Sequence, residues 1–182
     1  ILNLVYIAKS YGLHEVADYW EQVIILNNHQ KDRFSHKIIS TLFNTVSDKK
    51  ITFFGWAFKK DTNDTRESPA IYIANKLINE KAKICIYDPK VSKEQILFDL
   101  NYLGSRSPEE NDHSIEVVTD PYDACVNSHA IAILTEWDEF KTYNYSKIYE
   151  SMTKPAFIFD GRRLLIDVDL KDFKNRYYII GN

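Results

Sequence analysis

The densest concentration of chemically useful side chains is Gly55-Trp56-Ala57-Phe58-Lys59-Lys60-Asp61-Thr62-Asn63-Asp64-Thr65-Arg66-Glu67-Ser68-Pro69. The stretch is too long for a tight turn. It mixes cations, carboxylates, hydroxyls and amides ahead of a Ser-Pro pair that reads as a helix N-cap and first helical residue. A helix N-terminus offers free N–H groups and the positive end of a dipole, a natural seat for phosphate, and Lys59 and Arg66 add charge of the same sign. The chemistry would be recognition of a nucleotide or sugar-nucleotide phosphate. The competing reading is a solvated loop in which Asp61 and Asp64 pair with Lys60 and Arg66. Only Gly55 of a GxGxxG fingerprint is present, and Asp88 lies 33 residues beyond it, against roughly 20 in a dinucleotide-binding unit. The stretch therefore does not read as a primary NAD site.

A second candidate is Phe159-Asp160-Gly161-Arg162-Arg163, with two guanidinium groups beside a flexible glycine. The planar fork of arginine suits a phosphate or a nucleobase edge, while an ion pair between Asp160 and an arginine is the alternative. In Thr135-Glu136-Trp137-Asp138, Trp137 either stacks on a ligand or closes the edge of a sheet. Neither cysteine reads as a nucleophile. Cys85 falls in an apolar run and Cys125 follows Pro121-Tyr122-Asp123-Ala124, whereas a reactive thiol needs an accessible, electropositive setting. His14, His29, His36, His113 and His129 match no zinc spacing, so no metal site is expected, and there is no GxSxG elbow.

These loops need a scaffold. Apolar, β-rich runs at 51–54, 83–87, 115–118, 130–134 and 156–159 predict buried strands, with an edge strand at 177–180. Between them, helical spacing predicts helices over 69–80, 93–103, 121–125 and 145–152, and the polar segment 104–114 reads as a surface loop. Such alternation implies an α/β fold: a doubly wound, mostly parallel Rossmann-like sheet whose ligands bind beyond the carboxyl ends of the strands. The loops at 55–68, 88–92, 119–121, 135–140 and 160–163 lie at that end.

Between Gly12 and Gly55 there is neither glycine nor proline, and Val16, Trp20, Val23, Asn27, Gln30, Phe34, Ile38 and Leu42 recur at helical spacing, as one face of a long helix or of two helices meeting at a bend. Residues 1–46 are accordingly assigned to a long helical arm, helical from 13 to about 45, and residues 47–182 to the Rossmann-like domain. A stripe this long that bears Tyr19 and Trp20 predicts packing against another domain or subunit. A core helix covering its own domain is the alternative.

The chain has 182 residues, 23 Lys+Arg against 26 Asp+Glu for a net charge of −3, and 45% hydrophobic residues. That composition excludes disordered, collagenous and low-complexity classes, and the charge balance gives no footprint for broad nucleic-acid binding. No apolar run approaches the roughly 18 residues of a membrane span. Two cysteines form no disulfide framework, so a reducing, cytoplasmic setting is expected. No internal repeat is visible. The chain opens Ile1-Leu2-Asn3-Leu4 with no Met, no leader and no helix cap, and is read as the middle of a longer protein.

The sequence from Gly55 to Ser68 resembles the GFAFKxxTxDxRxS signature of the UDP-glucose 6-dehydrogenase family, with Trp56 in place of the first Phe. Tyr87-Asp88-Pro89-Lys90-Val91, Thr135-Glu136-Trp137 and Phe159-Asp160-Gly161-Arg162-Arg163 are similar to further blocks in the same order, and Asn27 and Gln30 also fit. The similarity runs over essentially the whole chain and is greatest to the eukaryotic branch. The resemblance implies a three-part protein: an N-terminal NAD-binding Rossmann domain, a central helix and a C-terminal UDP-binding domain, of which this chain is the second and third. It implies that Phe58 and Lys59 contact the sugar nucleotide, that Arg162 binds substrate, and that Arg66 reaches the NAD side. The choice of Arg162 over Arg163 rests on the family motif. The implied reaction oxidises UDP-glucose to UDP-glucuronate with two NAD through a cysteine thiohemiacetal and thioester. That cysteine belongs to a GGxCxxKD block preceding Ile1, so no catalytic residue is expected in this chain, and the chain alone is expected to be inactive. A homo-oligomer through the arm, a dimer or a hexamer, is implied as well. The alternatives are a dehydrogenase of GDP-mannose or a UDP-N-acetylhexosamine, or a non-catalytic nucleotide-binding or association module.

Overall fold

The computed structural model describes residues 1–181. Six strands, β1 (Lys50–Phe54), β2 (Lys83–Tyr87), β3 (Ile115–Val117), β4 (Ala130–Ile133), β5 (Phe157–Asp160) and β6 (Tyr177–Ile179), form one sheet in the order β3-β2-β1-β4-β5-β6. Every pairing is parallel. This is the doubly wound order, and its direction reverses between β1 and β4. The crevice beyond those two strand ends is where such folds bind ligands.

The strands are near-continuous apolar runs because helices cover both faces. β4 and β5 are buried throughout, as is β1 from Ile51 onward. The one hydroxyl inside β1, Thr52, is fully buried and donates to the Ala124 carbonyl at 2.7 Å, which ties the strand to α6 (Pro121–Cys125). The first crossover helix, α3 (Pro69–Asn79), begins where the sequence predicts: the Ser68 hydroxyl accepts from Ala70 N, Pro69 takes the first position, and Ala70, Ile73, Ala74 and Leu77 face the sheet. α4 (Lys93–Tyr102) and α7 (Tyr145–Ser151) also fall within the predicted spans.

Two expectations need correction. The segment 104–114 is not all loop, since α5 (Pro108–Ser114) occupies its second half. Ser107 and Glu110 close a capping box around Pro108. This helix is polar, with buried Asn111 bridging Arg106 and Asn101, so it carries no apolar period to announce it. The long helix expected from 13 to about 45 is α2 (His14–Thr41), preceded by α1 (Leu2–Ser10), and what needs correction is the outward role of its apolar stripe. Val5 and Ala8 of α1 pack on Ala17 of α2, with Trp20 and Ile24 partly buried against them. Phe34, Ile38, Leu42 and the following Val46 belong to the core of the sheet. Trp20 and Phe34, expected on a face toward another domain or subunit, are thus both used within the chain. Helical spacing specifies that a face is covered but not which molecule covers it. The apolar residues left exposed on α2 are Val16, Tyr19, Ile25 and Leu26. Among the described residues no helix is long and apolar enough to cross a membrane.

Candidate anion-binding cleft

The turn after β1 is fixed almost atom by atom. Gly55 sits at φ 94°, and a Cβ there would overlap the Thr135 side chain and lie 2.7 Å from the Thr135 nitrogen. Only glycine fits, because both the backbone region and the space exclude a side chain. Thr135, just after β4, donates from Oγ1 to the Ala57 carbonyl at 2.6 Å. Asp88, just after β2, accepts the N–H of Trp56 at 2.7 Å and of Ala57 at 3.0 Å on one oxygen. The same oxygen accepts the Trp137 indole N–H at 3.2 Å, while the other takes Lys90 N and Val91 N. Trp56, fully buried, donates its indole N–H to Asp99 at 2.9 Å. Phe58 N reaches the Asp64 carbonyl at 2.8 Å. A buried carboxylate that collects backbone donors in this way organises a loop more firmly than neutral acceptors can.

The turn after β5 is built on Asp160, fully buried, which accepts from Arg162 N, Leu165 N and the Tyr177 hydroxyl. Its partners are not guanidinium groups, so the Asp160–arginine ion pair is absent. The Arg162 side chain instead donates from Nε to the Leu134 carbonyl at 2.7 Å and from Nη2 to the Phe58 carbonyl at 2.9 Å. Glu136 Oε2 stands 3.3 Å from Arg162 Nε. One guanidinium therefore joins the turns that follow β1, β4 and β5.

Between this platform and α2 lies a cleft of about 630 Å³, whose walls include Asn27, Gln30 and Lys31 from α2 and Phe58, Glu67 and Arg162 from the loops. Phe58 exposes 47% of its surface although it is held by its backbone on both sides. Burial lowers the Lys31 ammonium from its ordinary range, opposed by Glu67, and its Nζ sits 3.7 Å over the Tyr72 ring. The Tyr72 hydroxyl donates to Glu67 at 3.0 Å.

Of the residues predicted from sequence, Phe58 and Arg162 meet on the cleft wall, as do Asn27 and Gln30. Arg163 is exposed and outside that wall, as is Lys59, which makes no ion pair among the described residues. Arg66, 88% exposed, grips Asp64 through Nε and Nη2 at 2.9 and 2.8 Å. The solvated-loop reading is met in that pair, while Lys60 pairs with Asp138 rather than Asp61. Trp137 is buried and tied to Asp88, so it closes the sheet rather than stacking on a ligand. Sequence reasoning missed Asp88 as an organiser and passed over Glu136 and Lys31. A carboxylate directly following a buried strand was the available signal for Asp88. Burial pushes the Cys85 thiol up to about 12 and also raises that of Cys125. No cluster of metal-ligating side chains exists among the described residues.

Residues 52–167 match the UDP-glucose/GDP-mannose dehydrogenase family, UDP binding domain. The chain belongs to this family. It is 51% identical over 181 residues to a UDP-glucose 6-dehydrogenase of Gallus gallus, covering 100% of this chain and 36% of that protein. It is 50% identical over 191 residues to UDP-glucose 6-dehydrogenase 3 of Oryza sativa subsp. japonica, covering 100% of this chain and 40% of that one. The chain thus spans little more than a third of the length of these curated relatives. Its fold is similar to that of a UDP-glucose dehydrogenase from Pyrobaculum islandicum, with TM-score 0.64 and 19% identity over 96% of this chain and 34% of that one. The UDP-N-acetyl-mannosamine dehydrogenase Cap5O from Staphylococcus aureus is similar at TM-score 0.59 and 26% identity, over 93% of this chain and 32% of that one.

Proposed function

We propose that this chain is the UDP-sugar-binding portion of a UDP-glucose 6-dehydrogenase, which as a whole oxidises UDP-glucose to UDP-glucuronate with two NAD. The observation that carries the reading is the Phe58–Arg162 junction on the cleft wall. It sets an exposed aromatic side chain and a guanidinium held by two carbonyls on one cleft wall, which suits a group that is part ring and part anion. Lys59, exposed, unpaired among the described residues and adjacent to Phe58 although outside the cleft wall, is the further cation proposed for the diphosphate. The residues here do not fit a primary NAD site. The Trp56 and Ala57 N–H groups that would cradle a pyrophosphate are taken by the Asp88 carboxylate, which would also repel it. We infer that NAD is held mainly outside this chain, with Arg66 the contact from this side. The buried thiols cannot capture an aldehyde, so the nucleophile comes from elsewhere in the protein. The exposed Tyr19, Ile25 and Leu26 supply a subunit contact for a homo-oligomer. A reducing, cytoplasmic setting is part of the same proposal, in keeping with two free, buried cysteines.

Calorimetric titration of the chain with UDP-glucose and with GDP-mannose tests the assignment. UDP-glucose is expected to bind and GDP-mannose to bind more weakly, and tighter binding of the guanine nucleotide would overturn it. Added NAD is expected to give no NADH.

A further inference from the structure

Glu136 does not line the cleft, yet it touches the residue there that matters most. Its side chain is 32% exposed, with Oε2 closed off from solvent, without a hydrogen-bond partner among the described residues, and in ionic contact with Arg162 Nε at 3.3 Å. Its other oxygen accepts from Lys60 N at 3.4 Å, so the turn that presents Phe58 and Lys59 also holds Glu136 in place. Arg162 spends Nε on the Leu134 carbonyl and Nη2 on the Phe58 carbonyl. Its Nη1 has no protein acceptor among the described residues, while the side chain lines the cleft. A carboxylate beside a cation intended for an anionic ligand costs affinity through its own field. Here that cost is set against geometry. The two carbonyls bonded to Nε and Nη2 fix the guanidinium plane, and the Glu136 charge 3.3 Å from Nε holds the group against them by ionic attraction, leaving Nη1 free among the described residues.

We propose that Glu136 is a positioning residue that orients Arg162 toward the diphosphate of a nucleotide sugar without touching the ligand. This rests on the reading of the cleft as a UDP-sugar site. The experiment is a double-mutant cycle of UDP affinity, measured by calorimetry on the chain and on its E136Q, E136A, R162A and E136A/R162A variants. Acting through Arg162, E136A weakens UDP binding by on the order of tenfold. E136Q retains an acceptor for Lys60 N but loses the charge facing Arg162, so it falls between E136A and the unaltered chain. In the R162A background E136A changes affinity by less than about twofold, because the group it orients is gone. Equal or tighter UDP binding by E136Q or E136A overturns the proposal, as does an undiminished loss in the R162A background, which would mark a merely structural role. Should E136A not fold, E136Q decides by the same criterion, with E136Q/R162A completing the cycle. If the unaltered chain itself fails to bind UDP, the assignment of the cleft falls and this proposal falls with it.

Discussion

Arg162 donates from Nη2 to the carbonyl oxygen of Phe58 at 2.9 Å, joining the turns that follow β5 and β1 across the intervening strand β4. The same side chain is thus both a brace for the platform and the cation on the cleft wall. Lys59, one residue beyond Phe58, has no such double duty. Arg162→Ala is expected to weaken UDP-sugar binding by about 1.5–3 kcal/mol and to lower folding stability by about 1–2 kcal/mol, since it strips partners from two carbonyls. Lys59→Ala is expected to lose affinity while leaving stability within about 0.5 kcal/mol. Titration and urea unfolding of both variants separate the two effects, and equal stability loss in both would contradict the brace.

Gly55→Ala tests the fit of the β1 turn against Thr135. The added methyl overlaps a side chain held by its own bond to the Ala57 carbonyl, at a φ of 94°. Left-handed strain and overpacking add to a loss of about 3 kcal/mol or more. A urea midpoint near that of the unaltered chain would show that the turn yields more easily than its bonds imply.

The Arg66 guanidinium, bonded to both oxygens of Asp64, holds that carboxyl at about 2, below its ordinary 3.8. Because the folded value is the lower one, the pair's contribution is present above about pH 4 and is lost as the pH falls through about 2. A carbon-detected NMR titration is expected to place the Asp64 midpoint near 2, and an Arg66→Ala variant should return it toward the ordinary value. A midpoint near 3.8 in the unaltered chain would mean that Arg66 is free of Asp64.

Burial puts the Cys85 thiol at about 12, with Cys125 also raised. In the native chain at pH 8 neither is expected to react with a disulfide reagent at an appreciable rate, whereas both should react once the chain is unfolded in guanidinium. Rapid labelling of the folded chain would contradict the burial and reopen the search for a nucleophile in this sequence.

Much of this was legible in the residues. The strands could be read because parallel strands buried on both faces are continuous apolar runs, as in Ala130–Ile133. The start of α3 could be read because Ser68 and Pro69 carry their own mechanism. α5 was hidden because its stability comes from a capping box and an amide network rather than from an apolar stripe. The partner of Trp20 was hidden because a stripe does not say whether it meets α1 or a second molecule. In the site, the glycine and the arginines stood out by type, while Asp88 and Glu136 did not. Their importance lies in which backbone groups and side chains reach them through space, and that is settled only when β1, β2, β4 and β5 are aligned.

The proposed function requires a UDP-sugar to occupy the cleft between α2 and the Phe58–Arg162 junction. The most direct measurement follows the backbone amides and arginine Nε–H groups of the isotope-labelled chain by NMR as UDP-glucose is added. The predicted result is a saturable set of shifts centred on Phe58, Lys59, Arg162 and the α2 residues Asn27, Gln30 and Lys31. Shifts centred instead on a separate groove lined by Arg33, Lys37 and Tyr178, between α2 and β6, or no saturable shifts at all, would contradict it.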